Sequence, residues 1–530
     1  MGMGAAPGQN WTGLSRGWGA GRSVSASRGR MGDTGDRPDS VELLQTGTAG
    51  LDDVLAGGLP ASRVYLVQGD PGTGKTTLSL RFLLEGVARG ERVLYVALSE
   101  NRDELEQVAR SHGWSLEGVT IADHSTAGGM EERETTLFQP SEVELGARMR
   151  ALLEQIDRLR PTRIVVDSCS ELRLLSQGPL RYRRQILAFK SRAGTMGCTI
   201  ILIDTLASGG PEMLLQSVVH GVITLEQLSP LYGAERRRIR VSKLRGKRYR
   251  GGYHDLVIKT GGLEIFPRLV ASEHHLTHER LPVSAGVAAL DALLGGGPVR
   301  GSSLLLMGPA GCGKSAIASQ YALAAVQRGE RAAVFAFDEG LGMYVARASS
   351  LGMHLEDHLR AGTLSVQQVD PAELSPGEFA HAVRMAVERD GARLLVIDSL
   401  NGYLNAMPEE QLLALQIHEL LAYLGQRGVL TLLTVAQHGL VAPESRSPVD
   451  LSYIADAVLL FRYFEARGRV RKAISVVKKR SGAHEQTIRE LTLGPGGVQV
   501  GSPLADFQGV LSGQPQILTN GGAAGEEVRR

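Results

Sequence analysis

The sequence predicts an α/β fold of two tandem domains, each a mostly parallel β-sheet flanked by helices. Apolar segments rich in Val, Ile and Leu alternate with longer helical stretches, a pattern typical of parallel sheets with both faces covered. The same order of segments occurs twice in 530 residues, a length that suffices for two or three domains. Lys75 and Glu100 in the first copy are separated by the same number of residues as Lys314 and Glu339 in the second.

The repeat divides the chain into four predicted parts. Residues 41–268 form the first domain, and residues 269–518 form a linker and the second domain. Residues 1–40 are rich in Gly, Ser, Arg and Trp without periodicity, so we expect them to be disordered. We expect the same of the tail, residues 519–530.

A glycine-rich octapeptide follows the first apolar strand of each domain. GDPGTGKT begins at Gly69 and GPAGCGKS at Gly308, and both fit G-x-x-x-x-G-K-[ST] between a strand and a helix. Backbone N–H groups of such a P-loop surround phosphate oxygens, its lysine reaches the β- and γ-phosphates, and its hydroxyl binds Mg²⁺. The predicted nucleotide-binding residues are Gly69, Gly72, Thr73, Gly74, Lys75, Thr76 and Thr77 in the first domain and Gly308, Gly311, Cys312, Gly313, Lys314, Ser315 and Ala316 in the second.

Each domain also has two apolar strands that end in acidic residues. The later strand ends in Asp-Ser, which after a P-loop is the Walker B pattern whose carboxylate holds the Mg²⁺ shell. The predicted metal-binding residues are Thr76, Asp167, Ser315 and Asp398. The earlier strand ends at Glu100 or Glu339, where an acid can accept a proton from attacking water or hydroxyl. The alternative is a solvated carboxylate that caps the next helix.

Basic residues follow the Walker B strand in both domains. Strand alternation places Lys243 with Arg245, and Lys478 with Arg480, on one face. Three interpretations are open. The residues are charges that protect an edge strand from aggregation, they contact nucleic-acid phosphates, or they reach the γ-phosphate of a neighbouring subunit. Their recurrence in both domains favours the third interpretation.

Composition limits the classes of partner. The 58 basic residues nearly balance the 56 acidic ones, so no global field attracts nucleic acid or a membrane surface. No apolar run approaches the roughly 18 residues needed to span a bilayer. The three cysteines have no paired spacing, which fits a reducing, cytoplasmic location.

Together these residues resemble the KaiC family, the double-domain RecA-type ATPases and autokinases of bacterial circadian systems. The resemblance extends from about Val41 to about Leu518. Its specific parts are Leu244-Arg245-Gly246 after Lys243, the Ile265-Phe266-Pro267 ending of the first domain, Phe335-Ala336-Phe337-Asp338-Glu339, Ile454-Ala455-Asp456 and the Leu511-Ser512-Gly513 region. The likeness implies tandem RecA-like domains and a homo-hexamer of two stacked rings, with ATP and Mg²⁺ bound between adjacent subunits.

The resemblance also assigns roles to residues. In the first ring, the ATPase, it implies that Glu100 positions water and that Ser111 contacts the nucleotide. Here the family has two adjacent glutamates, whereas this chain has Ser99-Glu100. Lys243, Leu244 and Arg245 would come from the neighbouring subunit.

In the second ring, the kinase, the resemblance implies that Asp338 is the general base and that Lys478 and Arg480 act in trans. Asp338-Glu339 replaces paired glutamates, and an aspartate has a shorter reach. The phosphoacceptor positions, a Ser followed by a Thr in the family, fall on Ser452 and Tyr453. The alternative is that Ser452 caps a turn and Tyr453 packs in a core.

The sequence therefore predicts a KaiC-like ATPase with serine autophosphorylation, acting in signalling or circadian-type timing with clock-type protein partners. One alternative is a RecA/RadA-like DNA-dependent motor, which only the basic segment from Arg236 to Arg250 supports. Another is a nucleotide-gated scaffold without kinase activity. Neither a membrane nor nucleic acid is an expected partner.

Overall fold

The computed structural model describes two successive α/β halves within residues 42–124, 140–176, 178–206, 212–230, 233–274, 276–405, 413–437, 453–511 and 516–517. The predicted disordered segments, residues 1–40 and 519–530, lie outside this part of the chain. No helix in the described part is both long and apolar enough to cross a membrane.

The elements of the first half alternate between strands and helices along the chain. Its strands are β1 (Leu43–Leu44), β2 (Leu59–Pro60), β3 (Val64–Gly69), β4 (Val93–Ala97), β5 (Val119–Asp123), β6 (Arg163–Asp167), β7 (Thr199–Asp204), β8 (Gly221–Leu228), β9 (Arg236–Leu244), β10 (His254–Lys259) and β11 (Gly262–Phe266). Its helices are α1 (Leu51–Val54), α2 (Lys75–Ala88), α3 (Arg102–Ser111), α4 (Pro140–Leu159), α5 (Cys169–Leu175), α6 (Pro179–Met196) and α7 (Glu212–Val218).

The second half repeats this alternation after a short 3₁₀ turn, Ala271–Glu273. Its strands are β12 (Ser303–Gly308), β13 (Arg331–Ala336), β14 (Leu364–Gln368), β15 (Ala392–Asp398), β16 (Leu430–Ala436), β17 (Ala457–Ala466), β18 (Arg469–Lys479), β19 (Arg489–Gly494), β20 (Gly497–Pro503), β21 (Phe507–Gln508) and β22 (Gln516–Ile517). Its helices are α8 (Ala288–Leu293), α9 (Lys314–Gln327), α10 (Leu341–Ser350), α11 (Glu356–Arg360), α12 (Pro376–Glu388), α13 (Leu400–Asn405) and α14 (Leu413–Gln426).

The two large sheets have the same topology. In the described residues the strand order is β5-β4-β6-β7-β3-β8-β9-β10-β11 in the first half and β14-β13-β15-β16-β12-β17-β18-β19-β20 in the second. The first six strands of each order are parallel, and the last three continue the sheet in antiparallel pairing. The prediction of two α/β domains with mostly parallel sheets is confirmed.

Burial on both faces explains why the strands read as continuous apolar runs. In β3, Val64 and Leu66 pack into one buried cluster, while Tyr65 and Val67 pack into another on the opposite face. All four side chains are at most 1% exposed. Because every second residue of a strand points to the opposite face, only an apolar sequence without alternation can fill both layers.

The two halves contact each other through the antiparallel edge of the first sheet. The Asp255 carboxylate on β10 accepts a hydrogen bond of 2.6 Å from the backbone N–H of Gly377, in the first turn of α12. A carboxylate at a helix N-terminus is favourable because it satisfies an unpaired N–H and complements the helix dipole. At the start of β9, the Arg236 guanidinium donates to the Pro371 carbonyl oxygen at 3.1 Å.

Candidate nucleotide-binding sites

Both P-loops lie at the carboxyl end of the parallel strands, where α/β sheets place their ligands. Gly74 and Gly313, the residues before α2 and α9, have φ of +97° and +111°, which favour glycine. The lysine that follows each glycine donates to the loop's own carbonyls: Lys75 Nζ to Gly69 and Asp70 at 2.7 and 2.8 Å, Lys314 Nζ to Gly308 and Pro309 at 2.9 and 2.6 Å. Each ammonium is therefore held within the loop that would surround phosphates.

The remaining P-loop residues are in the places the motif predicts. Thr73 is buried, and its hydroxyl donates to the Asp70 carbonyl oxygen at 2.8 Å. Thr77 and Ala316 are buried in the first turns of α2 and α9. Cys312 is buried with its Sγ 3.8 Å from Lys314 Nζ, and burial raises the pKa of its thiol. A raised pKa favours the neutral thiol.

In the first half, the two side chains predicted to bind Mg²⁺ are hydrogen-bonded to each other. Thr76 at the start of α2 donates its hydroxyl to Asp167 Oδ2 at 3.2 Å, and Tyr95 on β4 donates to the same oxygen at 2.6 Å. Burial raises the pKa of Asp167, while these two hydrogen bonds act in the opposite direction. A hydroxyl and a carboxylate at the same point are the hard oxygen donors that Mg²⁺ prefers, so the residues present fit this cation.

The second half holds its Walker B carboxylate differently. Asp398 ends β15 and is buried, and its Oδ1 accepts a hydrogen bond from the Thr434 hydroxyl on the neighbouring strand β16. Ser315 lies in the first turn of α9, as Thr76 does in α2. The donor set of Ser315 and Asp398 again consists of a hydroxyl and a carboxylate, so this pair also fits Mg²⁺.

Glu100 follows β4 and is a partly buried acid beside the first P-loop. Its Oε2 is buried without a hydrogen-bond partner in the described residues. Burial raises the pKa of Glu100, the negative charge of Asp167 raises it further, and Lys75 opposes the shift. The helix-capping role is taken by Asn101, whose side chain accepts from the N–H of Glu104 at 2.9 Å. Glu100 is therefore left with an unpaired oxygen at the edge where the phosphates would lie.

The corresponding acids of the second half, Asp338 and Glu339, have unlike surroundings. Glu339 forms an ion pair with Arg347 of α10, with Nε 3.3 Å from Oε2 and Nη2 bonded to Oε1. The same guanidinium lies over the ring of Tyr344 and reaches the Ser319 hydroxyl on α9. Asp338 is exposed. Of the two acids, Asp338 has the greater freedom to approach an incoming hydroxyl.

The basic residues after the Walker B strands are not level with the chain's own P-loop; they lie at or before the middle of the central strand that leads into it. Lys243 is level with Val222 on β8, which in turn is level with Leu66 on β3. Gly69 of the P-loop comes three residues after Leu66, about 10 Å along the strand. Lys243 Nζ and Arg245 Nη2 instead donate to the carbonyls of Gln216 and Ser217, in the last turn of α7. Leu244 between them is buried.

The second half repeats this arrangement. Lys478 is level with Val458 on β17 and so with Leu305 on β12, three residues before Gly308. Lys478 Nζ donates to the Ala455 carbonyl oxygen at 2.8 Å, and Arg480 binds the Tyr453 carbonyl oxygen. In the described residues β9 and β18 are interior strands, each paired on both sides. The outer pairing reaches only residues 237–239 of β9 and 472–474 of β18, so Lys243 and Lys478 lie beyond it and the edge-strand interpretation stays open.

The remaining predicted residues are Ser111, Tyr453 and Ser452. Ser111 is exposed at the end of α3, and its hydroxyl donates to the Val108 carbonyl oxygen at 2.7 Å. The next residue, His112, brings its Nε2 to 3.4 Å from the Thr77 hydroxyl, so this turn lies beside the start of α2.

Tyr453 is 57% exposed, which excludes the alternative that it packs in a core. Ser452 lies outside the described residues.

Sequence reasoning did not identify four residues that shape the sites. Tyr95, Thr434 and Arg347 hold acidic side chains of the sites, and none of the three was predicted as a site residue. Arg237 donates from Nε to the Gly72 carbonyl oxygen of the P-loop at 3.1 Å. A comparison of the two halves could have drawn attention to Arg347, because the equivalent position in α3 is the uncharged Val108.

Comparisons with known proteins agree with this geometry. The family model described as "ATPase: KaiC" matches residues 44–270 and again residues 283–505. The circadian clock oscillator protein KaiC of Prochlorococcus marinus is 26% identical over 91% of this chain and 97% of its own length. KaiC of Synechococcus elongatus is 27% identical over 91% and 93%, and the circadian clock protein KaiC3 of Synechocystis sp. is 27% identical over 90% and 95%. Because the family model covers both halves, the chain belongs to the KaiC family of ATPases.

Proposed function

We propose that the chain is a two-site ATP-dependent autokinase, in which residues 41–268 hydrolyse ATP and residues 269–518 transfer the γ-phosphoryl group to Ser452. The observation that carries this division is the difference between the acids: Glu100 has an unpaired buried oxygen, whereas Glu339 is paired with Arg347 and leaves Asp338 exposed. The curated relatives, named circadian clock proteins, support a role in signalling or timing with protein partners.

In the first half, Glu100 accepts a proton from the attacking water while Lys75 binds the β- and γ-phosphates. The water oxygen forms a bond to the γ-phosphorus, the bond to the β-phosphate oxygen breaks, and ADP and phosphate leave. Thr76 and Asp167 would hold Mg²⁺, which when bound neutralises negative charge on the phosphates. Tyr95 keeps Asp167 oriented toward Thr76 through its 2.6 Å hydrogen bond.

In the second half, the attacking group is a side-chain hydroxyl in place of water. Asp338 accepts the proton of the Ser452 hydroxyl while the serine oxygen bonds to the γ-phosphorus. The bond from the γ-phosphorus to the β-phosphate oxygen breaks, ADP leaves, and Lys314 binds the phosphates. Ser315 and Asp398 would hold Mg²⁺ there. Tyr453, next to Ser452, is the second acceptor that we propose, and its side chain is accessible.

We further propose that the chain works as a homo-hexamer in the cytoplasm, with Lys243, Arg245, Lys478 and Arg480 contributed across subunit boundaries. The support is their register: Lys243 and Lys478 are level with residues three positions before their own P-loop glycines, and both are bound to backbone carbonyls. Such cations can stabilise charge on a neighbouring γ-phosphate. The three cysteines, all buried and unpaired, fit a reducing compartment.

The Asp338→Asn variant tests the division of labour. Asparagine keeps the size of the side chain but cannot accept the proton, so we expect protein phosphorylation to fall about 100-fold or more. Phosphate release by the first half should remain. The measurement uses γ-³²P-ATP and separates free phosphate from phosphoprotein. Asp357→Asn, an exposed aspartate on α11 paired with Arg360, is the control. Equal loss of both products, or of neither, contradicts the proposal.

The Lys243→Ala variant tests the role across subunits. We expect phosphate release to fall at least tenfold, because charge on the neighbour's γ-phosphate loses a stabilising cation, while the hexamer persists. Mass photometry gives the oligomer size and a phosphate-release assay gives the rate. Arg192→Ala, which removes a half-exposed cation paired with Asp157, is the control. Unchanged turnover in assembled Lys243→Ala protein excludes the proposed trans contact.

A further inference from the structure

A second kind of binding site lies at the amino end of the second sheet, on the side away from the P-loop. A cavity of about 480 Å³ opens there between the linker, the loops that precede β12, β13 and β16, and the start of β15. Its charged lining consists of His278, Glu279, Arg300, Arg328, Glu330 and Arg393. We propose that this cavity, here called the basal cavity, binds a small organic anion through a phosphoryl group. This inference does not depend on the proposed kinase reaction.

The arginines of the basal cavity have more N–H donors than the protein groups around them accept. Arg300 and Arg328 share the carboxylate of Glu330, and each also donates to one backbone carbonyl. Arg393 is exposed and donates to the Arg427 carbonyl oxygen at 3.3 Å. Since each guanidinium carries five N–H donors, most of them have no protein acceptor within the described residues. Three arginines against the carboxylates of Glu330 and Glu279 leave the lining with a net positive charge.

His278 adds a polar atom that the fold holds in place but does not satisfy. Its Nδ1 is buried without a hydrogen-bond partner in the described residues. The ring packs against two backbone positions where only glycine fits: a Cβ at Gly301 would collide with the imidazole, and one at Gly428 would lie 2.9 Å from its Cγ. A buried polar atom without a partner is unfavourable, and the ring that carries it forms part of the cavity lining.

In the first half, a buried ion pair occupies the region that corresponds to the basal cavity. There the equivalent of Glu330 is Glu91, which binds the buried Arg163 through both Nε and Nη2 at 2.8 Å. Arg163 is 0% exposed and also donates to the carbonyls of Gln45 and Phe82. In the second half the equivalent residue is Leu394, and the guanidiniums instead come from surface positions around the cavity. The second half has thus replaced an internal ion pair with an open cationic site.

Size and geometry define the class of ligand. A volume of about 480 Å³ exceeds what a bare phosphate needs and lies in the usual range for small-molecule sites. Guanidinium forks match phosphoryl oxygens with paired hydrogen bonds. The walls beside them are apolar, from Leu281, Pro282 and Val283. The ligand we expect is therefore a phosphorylated small molecule whose organic part rests on these apolar residues.

The test uses inorganic pyrophosphate as the probe and calorimetry as the measurement. The Lys75→Ala/Lys314→Ala double variant in EDTA removes binding at the P-loops, and wild-type protein saturated with Mg-ADP provides a second background. We expect pyrophosphate to bind in both backgrounds, and we expect Arg393→Gln to weaken this binding at least tenfold. The control is Arg360→Gln, which removes a cation that is 78% exposed on α11 and should leave the binding unchanged.

His278→Ala provides a second variant that leaves every arginine in place, and we expect it to weaken pyrophosphate as well. Thermal unfolding of each variant checks that the chain is folded. Citrate serves as a carboxylate probe: weaker binding than pyrophosphate supports a phosphoryl ligand, and tighter binding overturns that assignment. Absence of pyrophosphate binding in both backgrounds, or binding that neither Arg393→Gln nor His278→Ala changes, overturns the proposal of the site itself.

Discussion

Replacing Lys75 with alanine should remove nucleotide from the first half of the chain and leave it bound to the second, and Lys314→Ala should do the reverse. Each ammonium already lies inside its loop, bonded to two carbonyls that precede the glycines. A charge-assisted contact to phosphate contributes about 1.5–3 kcal/mol, so its loss weakens binding by roughly 10- to 150-fold. Burial lowers the pKa of Lys75, and the negative charge of a bound phosphate would act in the opposite direction.

The measurement is the number of high-affinity ATP sites per chain, from a full equilibrium-dialysis binding curve over concentrations around the dissociation constant of the wild type. We expect it to fall from two to one in either single variant and to zero in the double variant. The two single variants control for each other, because each leaves the other loop intact. An unchanged stoichiometry in either one would refute the assignment of that loop as a nucleotide site.

Glu100→Gln should lower ATP hydrolysis by the first half about 100-fold or more while nucleotide binding persists. The amide has the same shape as the carboxylate but cannot accept a proton from water, and general-base catalysis of this kind contributes about 10²–10⁴-fold. Ser99 offers no second acid beside it. Glu106→Gln on α3 removes an exposed carboxylate paired with Arg102 and serves as the control. Wild-type hydrolysis in Glu100→Gln would exclude Glu100 as the base.

The pH dependence of hydrolysis gives an independent view of the same residue. Burial and the negative charge of Asp167 raise the pKa of Glu100 above its ordinary value of 4.5. The base must be deprotonated to act, so activity is full above the raised pKa and declines as the pH falls through it. We expect the acid limb of the Lys314→Ala protein, in which only the first half binds ATP, to lie above pH 4.5.

Much of this arrangement follows from patterns in the sequence. The P-loops and the Asp-Ser endings of β6 and β15 are short motifs whose chemistry fixes their place at the carboxyl ends of parallel strands. The register that carries Lys243 and Lys478 away from their own P-loops follows from strand pairing, which the motifs do not encode. Strand alternation in the sequence predicts that the two cations of each pair share a face, but it does not predict their position along the sheet.

What the sequence could not predict are contacts between side chains that are distant along the chain. Thr434 reaches Asp398 from an adjacent strand, and Tyr95 reaches Asp167 in the same way. No local periodicity marks such a partner, because its role depends on which strands become neighbours. Glu339 and Arg347 are only eight residues apart, but no motif marks Arg347 as the partner of this acid.

The most direct test of the proposed autokinase is to map phosphate on the protein after incubation with Mg-ATP. Wild-type protein and Ser452→Ala are digested at successive times, and phosphopeptides are located by mass spectrometry. We expect phosphate on Ser452 in the wild type, and its absence in the variant while ATP hydrolysis continues. Hydrolysis of ATP without phosphate on any residue would contradict the proposal and leave a nucleotide-gated ATPase in its place.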